Sequence, residues 1–237
     1  MKPTITPLVL STATFGLMLG IAQNAQAALI PGISVSSSLG VDPEQPWNID
    51  NTVNGQGLLA PPGNTPSLTG NHTSSQDIAT AWRSAELTEP QGTTISGEIL
   101  FDLNGTYSVS GFTFWNFGGA NIFLASQGIR DVTVEYFDGT SWLPVIGAPT
   151  TFALGQIGDV TTQQLPQTFS FAPVTAQQIR FVNLSNFTNA PLGGSNNKIG
   201  FSEVQFNEAV PAQIPEPSSL LALLAVGLGG VSLRKRI

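Results

Sequence analysis

Few residues of this chain have the side chains that catalysis requires. His72 is the single histidine and cysteine is absent, so a nucleophile activated by histidine would have to be built around His72. A lone histidine in a loop rich in Gly, Asn and Ser is expected to be solvated, and the Gly-x-Ser-x-Gly pattern of serine hydrolases does not occur. Carboxylate pairs such as Asp131 with Glu135 arise by chance in an acidic domain, so they do not identify a glycoside hydrolase. The sequence therefore favours a protein that is not an enzyme.

Ligand binding has better candidates than catalysis. A sugar is held by an aromatic face against the apolar side of its ring and by fixed polar groups at its hydroxyls. Aromatic residues on strands are expected in the core, whereas aromatic residues in loops are available to a ligand. We expect two Gly- and Asn-rich connections to form one ligand-binding rim, which comprises Phe117, Asn121 and Phe123 in the first connection and Phe187 and Asn189 in the second.

Three tryptophans and two arginines are expected to have structural rather than ligand-binding roles. Trp82, Trp115 and Trp142 lie in stretches with the pattern of strands, and we expect them in the core. Arg130 and Arg180 are expected to pair with nearby acids, although an arginine that binds the sugar is an open alternative.

Charge and cysteine usage restrict the partners. Between the two terminal segments, residues 28–214 include 4 basic and 14 acidic residues, a net charge of −10. Such a surface repels phosphate backbones, so nucleic-acid binding is disfavoured. Because the chain lacks cysteine, disulfides cannot stabilise it, and stability must come from the core, with a bound metal as a further source.

The N-terminal segment has the pattern of a secretory signal peptide. Lys2 supplies a short basic start, residues 8–21 are mostly apolar, and Ala25-Gln26-Ala27 is a small-x-small cleavage site. Polar residues interrupt the apolar stretch, which makes a retained anchor less consistent with the sequence. We expect residues 1–27 to be removed on export.

The C-terminal segment has the pattern of a short membrane span. The run from Ser218 to Leu233 carries no charge, and three basic residues follow it: Arg234, Lys235 and Arg236. A transmembrane helix needs about 20 apolar residues, so the span is marginal, and the basic cluster places its end on the cytoplasmic side. The alternative, a buried helix of a globular domain, would be amphipathic, whereas this segment is apolar all round.

The triplet Pro215-Glu216-Pro217, the apolar run and the basic end together resemble the PEP-CTERM sorting signal. This resemblance implies residues 213–237 as a sorting segment, recognition by an exosortase-type enzyme, and cleavage near the triplet. It further implies a protein that is held transiently in the inner membrane and then delivered to the cell surface or extracellular matrix.

The exported part has the pattern of an all-β domain. Apolar and polar residues alternate in short stretches at 99–103, 112–114, 132–136, 169–171, 179–182 and 199–206. Asn104-Gly105 and Asp138-Gly139 are turn signals between such stretches, and no helical period persists. These features predict a β-sandwich or barrel. Residues 28–212 are long enough for one domain with a proper core.

The same region resembles the discoidin or coagulation-factor type C family, whose galactose-binding-like jelly rolls include many carbohydrate-binding modules. The residues that carry the resemblance are Asn48-Ile49-Asp50-Asn51, Thr80-Ala81-Trp82-Arg83-Ser84, Ile99-Leu100-Phe101-Asp102-Leu103, Gly128-Ile129-Arg130-Asp131-Val132 and Ile199-Gly200-Phe201-Ser202-Glu203-Val204. The resemblance implies a jelly-roll β-sandwich.

The resemblance also implies a structural Ca²⁺ that joins an early Asp loop to a Glu near the last strand. The matching positions are Asp50, Thr80 and Glu203. The family commonly has Gly after the Asp, and this chain has Asn51, which tolerates the same left-handed backbone. The alternative is that Asp50 caps a turn and Glu203 faces solvent.

Three functions are compatible with this sequence. The first is an exported, non-catalytic protein that binds or organises extracellular polysaccharide. The second is a structural or adhesion protein of the matrix that binds no particular glycan. The third, a glycoside hydrolase, requires a deep cleft with one desolvated and one solvated carboxylate.

Overall fold

The computed structural model describes residues 28–45, 47–59, 69–187 and 197–209. These residues form an antiparallel, sandwich-like β fold, which confirms the all-β jelly-roll class predicted from the sequence. The strands are β1 Ala28–Leu29, β2 Ser34–Ser37, β3 Trp82–Arg83, β4 Ile99–Asn116, β5 Thr133–Phe137, β6 Trp142–Pro144, β7 Gln167–Val182 and β8 Gly200–Glu208. A 3-10 helix covers Ile49–Thr52, and one turn of α-helix, α1, covers Ile122–Ala125.

The central strand β4 organises the sheet. The order is β1-β8-β4-β7-β5-β6, with β2 paired to the first half of β4 and β3 paired to β8. The chain ends of the domain lie together, because Ala28 pairs with Glu208. The start of β8 lies at the opposite end of that strand, where Gly200 pairs with Arg83.

Several predicted short strands are parts of longer ones. The predicted turn at Asn104-Gly105 is wrong, since β4 continues through it with an irregular register between Asp102 and Tyr107. Asn104 has a φ of 53°, the left-handed conformation that Asn accepts more readily than most residues. The Asp138-Gly139 signal does form a turn, in which the Asp138 backbone N–H donates to the carbonyl of Ser141. This turn joins β5 to β6.

Phenylalanine side chains fill the core between the strands. Phe112 has no exposed surface and its ring lies 5.3 to 6.3 Å, centroid to centroid, from those of neighbouring phenylalanines, and Phe114 stacks on Phe152 at 4.0 Å. Because large apolar side chains are removed from water here, this cluster is the main source of stability in a domain without disulfides.

The predicted core positions of Trp82 and Trp115 agree with their complete burial. Trp142 differs, because it lies half-buried on β6 with the Arg180 guanidinium carbon 4.3 Å from its ring centroid. Its prediction as a core residue is therefore corrected: its strand lies at the edge of the sheet and leaves one side open.

None of the helices among the described residues is long and apolar enough to span a membrane. The predicted signal peptide and the predicted C-terminal span lie outside the described residues.

Candidate functional site

Phe117 does not belong to an exposed rim. Only 1% of its surface is exposed, and its ring meets Trp47 edge-on with centroids 5.7 Å apart. Phe117 directly follows β4, and Gly200 lies so close that an added Cβ would contact the ring at 3.1 Å. Its predicted contact with a ligand is therefore corrected, because the aromatic face is already covered by protein.

The other described rim residues surround α1. The Asn121 side-chain oxygen accepts from the Leu124 N–H at 3.0 Å and so caps α1. Phe123 and Phe187 are both half-buried. They are linked through Ser126, whose hydroxyl donates to the Phe123 carbonyl and whose carbonyl accepts from the Phe187 N–H. Asn189 lies outside the described residues.

A buried charged cluster lies beside this rim, at the start of β8. Asp42 accepts from the Nε of Arg83 at 2.7 Å and forms a salt bridge with its Nη2, and the Lys198 ammonium lies 2.9 Å from the same carboxylate oxygen. Burial of Asp42 raises its pKa, but hydrogen bonds from Lys198, the Glu44 N–H and Arg83 outweigh this effect, so the pKa lies below its ordinary value. Asp42 therefore carries its charge at neutral pH.

Two further residues complete the cluster, and each has a donor without a partner. The Trp47 ring lies 4.9 Å from the Arg83 guanidinium carbon, and its indole N–H is buried with no hydrogen-bond acceptor among the described residues. The Gln127 side-chain oxygen accepts from Arg83 Nη1 at 3.3 Å, while the amide nitrogen of Gln127 is buried and has no partner in the described part of the chain. We call Asp42, Trp47, Arg83, Gln127 and Lys198 the Arg83 cluster. An unsatisfied buried donor costs about 1–3 kcal/mol, so two in one place indicate a missing acceptor.

Glu203 lies on β8, and its side chain shows the opposite case: one of its two oxygens is a buried acceptor without a donor. Its side chain has no exposed surface; Oε1 accepts from the Gly55 N–H at 3.1 Å and from Gln205, but Oε2 has no partner within residues 28–45, 47–59, 69–187 and 197–209. Burial raises the pKa of Glu203 well above its ordinary value, and the two hydrogen bonds offset this only in part. The expectation that Glu203 faces solvent is excluded.

The other two predicted metal ligands, Thr80 and Asp50, lie at different positions relative to Glu203. Continuing the β3–β8 register by two residues places Thr80 opposite Glu203. Asp50 is exposed and lies with Gln205 along an open surface cavity of about 400 Å³. Among the described residues, no three His, Cys, Asp or Glu side chains form a metal-binding group. A cation here would need hydroxyl and carbonyl oxygens besides the carboxylate, and Ca²⁺ accepts such ligands. The orphaned Oε2 of Glu203 fits that ion.

His72 is buried, in contrast to the solvated position predicted for it. Its two ring nitrogens lie 3.0 Å from the carbonyl oxygens of Thr73 and Gln56, and among the described residues no hydroxyl forms a hydrogen bond with them. Burial lowers the pKa of His72, and the two carbonyl contacts counteract this only in part, so the pKa lies below 6.5. The predicted solvated position is wrong because the loop backbone at Gln56 and Thr73 lies against the ring.

We expect His72 to make folding stability depend on pH. The unfolded chain takes up a proton as the pH falls through about 6.5, and the folded chain does not, so stability falls by up to about 1.4 kcal/mol per pH unit until the folded pKa is reached. Urea denaturation between pH 7.5 and 5.5 measures this loss, which His72→Gln should flatten. An equal slope in both proteins would contradict the expectation.

Arg130 and Arg180 pair with acids. Arg130 lies 2.6 Å from Asp131, and Arg180 lies 3.0 Å from Glu98 and 2.6 Å from Glu135. The prediction that these arginines form ion pairs agrees with these contacts. The two remaining cations of the exported part, Arg83 and Lys198, are the ones in the cluster. The sequence contained a signal for Arg83. It is one of four cations in residues 28–214, and it directly follows Trp82 in a stretch with the pattern of a strand.

Comparison with known proteins identifies the C-terminal segment. Residues 213–236 match the model of the PEP-CTERM protein-sorting motif, which confirms the sorting signal predicted from Pro215-Glu216-Pro217 and the basic end. The motif indicates an exported protein that is sorted by way of the membrane. No curated protein matches the chain by sequence.

Solved structures with a similar fold include family 32 carbohydrate-binding modules. GH31 CBM32-2 bound to GalNAc is 14% identical, with 77% of this chain and 100% of that chain covered and a TM-score of 0.46. CBM32-1 from a family 31 glycoside hydrolase of Clostridium perfringens is 12% identical, with coverage of 76% and 96% and a TM-score of 0.44. The family 32 module of NanJ from C. perfringens, in complex with galactose, is 11% identical, with coverage of 77% and 100% and a TM-score of 0.38. At these identities the likeness concerns the fold alone.

Proposed function

We propose that this protein is an exported, non-catalytic module that binds extracellular polysaccharide at the pole formed by the Arg83 cluster and the aromatic rim, Phe123 and Phe187. The observation that carries the proposal is the pair of buried donors on Trp47 and Gln127, which have no partner among the described residues, beside these half-buried aromatic side chains. Donors that lack acceptors and aromatic faces that border solvent are the two features that hold sugars.

The position of this pole suits a protein attached through its C-terminus. Arg83 pairs with Gly200 at the start of β8, and Glu208 lies at the other end of the strand. A strand rises about 3.3 Å per residue, so the pole lies about 26 Å from the far end of β8, which is the end nearer in sequence to the sorting segment. While the tail is in the inner membrane, the binding pole can face away from the lipid.

The sorting motif supports the part of the proposal that concerns export and sorting. An exosortase-type enzyme recognises the segment that begins with Pro215-Glu216-Pro217, and the protein passes from the inner membrane to the cell surface or the extracellular matrix. The domain then organises polysaccharide there.

A structural Ca²⁺ is the second part of the proposal. Glu203 supplies the charged ligand, Thr80 supplies an oxygen from the segment that precedes β3, and Asp50 supplies a second carboxylate from the 3-10 helix. The ion neutralises a carboxylate that burial otherwise leaves half satisfied. Its role is to stabilise the fold by tying the early loop to β8.

The test of glycan binding uses the full chain in a detergent without a sugar headgroup. Binding to a glycan array and to bacterial exopolysaccharide is compared for the natural chain, Phe187→Ala and Phe123→Ala. Loss of a stacking aromatic should weaken binding about tenfold, which corresponds to about 1.4 kcal/mol. Phe137→Ala serves as the matched control, because Phe137 is also half-buried but lies on β5 beside Trp142.

Saturable binding that weakens in the rim variants and not in Phe137→Ala would establish a glycan-binding module. Failure of the natural chain to bind any glycan would overturn the proposal and favour a structural matrix protein.

A further inference from the structure

We infer that the Arg83 cluster selects sugars that carry a carboxylate, that is, uronic acids. This inference rests on the proposed glycan-binding function and names its ligand class. Its basis is the charge of the cluster: Arg83 and Lys198 supply two positive charges, and Asp42 supplies one negative charge. One positive charge therefore remains without a buried partner among the described groups.

No other described acid neutralises that charge. Glu44 is the nearest, at 3.9 Å from the Lys198 ammonium, but 75% of its side chain is exposed, so water screens the pair. Gln127 contacts Arg83 through its side-chain oxygen, and Trp47 contacts it through its indole ring. Neither side chain carries a negative charge. The segment at 188–196, which precedes Lys198 in the sequence, contains no acidic residue. The chain thus leaves one buried cation for an external anion.

The numbers of hydrogen-bond donors and acceptors in the Arg83 cluster also favour an anionic ligand. Both carboxylate oxygens of Asp42 are already used, one by the Glu44 N–H and the other by Arg83 and Lys198. The unpartnered N–H groups of Trp47 and Gln127 add two more donors within the same group of residues. Since each unpaired group lacks an acceptor and the excess charge is positive, the complementary ligand is an anion that accepts several hydrogen bonds.

A uronic acid fits this excess better than a phosphate does. Its single negative charge matches the single excess positive charge, and its ring has an apolar face for the neighbouring aromatic side chains. The net charge of the exported part, −10, disfavours polyphosphates at long range. At physiological salt the Debye length is about 8 Å, so distant acids affect a single carboxylate at the cluster only weakly. Arg83 keeps 10% of its side chain exposed, which leaves solvent access to the cluster.

The test compares matched sugars on the full chain in a detergent without a sugar headgroup. Isothermal titration measures Kd for galacturonate against galactose and for glucuronate against glucose, in low and moderate salt. We expect the acidic sugar of each pair to bind at least about tenfold more tightly. Lys198→Met should remove most of that difference, because Asp42 then remains paired with Arg83 and no excess positive charge is left in the cluster. Lys198→Arg should retain it.

Arg130→Met is the control, because it removes the same charge from a site that is paired with Asp131 outside the cluster. The inference is overturned if neutral and acidic sugars bind equally, or if Arg130→Met reduces the preference as much as Lys198→Met does. In either case the proposed glycan binding stands. If no sugar of either kind binds, the proposed function fails with it.

Discussion

Asp42→Asn is expected to destabilise the domain by about 3–5 kcal/mol, more than most single polar substitutions would. Asp42 is the one fully buried acid in contact with Arg83 and Lys198, and the side chains of these two cations are only 10% and 4% exposed. Asparagine keeps the shape of the side chain but removes its charge. Two cations are then buried without a counter-charge, whereas the unfolded chain solvates them fully.

Urea denaturation of the full chain at pH 7 measures this loss. For a domain of this size, 1 kcal/mol lowers Tm by about 2–4 °C, so a fall of roughly 6–20 °C should accompany it. The control is Asp131→Asn, which removes a carboxylate from the part-exposed pair with Arg130 and should cost less than about 1 kcal/mol.

A second variant separates the charge from the shape of the site. Lys198→Met removes the excess cation and leaves the Arg83–Asp42 pair, so it should cost much less than Asp42→Asn does. In the double variant, the two changes should be less than additive, because the methionine removes one of the two charges that asparagine leaves unpaired. Equal losses for Asp42→Asn and Asp131→Asn would contradict the description of a charge-dependent buried cluster.

The strand pattern of this domain was predictable because the alternation of apolar and polar residues along a strand reflects which side chains are buried. Phe101, Phe112, Phe114 and Phe181 were all placed on strands, and all are fully buried. The lengths of β4 and β7 were not predictable. Polar stretches such as Asn104-Gly105 have the same composition whether the chain turns or continues through an irregular strand, and only pairing with β7 decides between them.

The proposed binding pole was only partly predictable, for a different physical reason. Phe117 follows a strand in a Gly-rich connection, which gives the sequence pattern of an exposed aromatic, yet Trp47 covers it from a segment 70 residues earlier. Burial of a loop residue depends on such distant contacts. The Arg83 cluster likewise combines residues from four separate segments of the chain, so its charge balance becomes visible only in three dimensions.

Glu203→Gln is expected to reverse the effect of calcium on stability. Without calcium, the natural chain buries a carboxylate whose Oε2 has no partner. Glutamine keeps an oxygen to accept from the Gly55 N–H and from Gln205, and it carries no charge. The variant should therefore be at least as stable as the natural chain in chelator, because it avoids the desolvation of a charge, which costs several kcal/mol when uncompensated.

With calcium, the order should invert. A ligand at a hundred times its Kd stabilises the folded state by about 2.7 kcal/mol, and this gain requires the charged oxygen of Glu203. Thermal denaturation in EDTA and in millimolar CaCl₂ distinguishes the two proteins, and Glu208→Gln, on the same strand, should keep the full calcium response. An unchanged Tm of the natural chain with calcium would refute the metal site. A calcium response that survives in Glu203→Gln would place the ion elsewhere. The crossing of the two stability orders is the decisive observation, because a carboxylate that merely packs in the core has no reason to become favourable when a divalent cation is added.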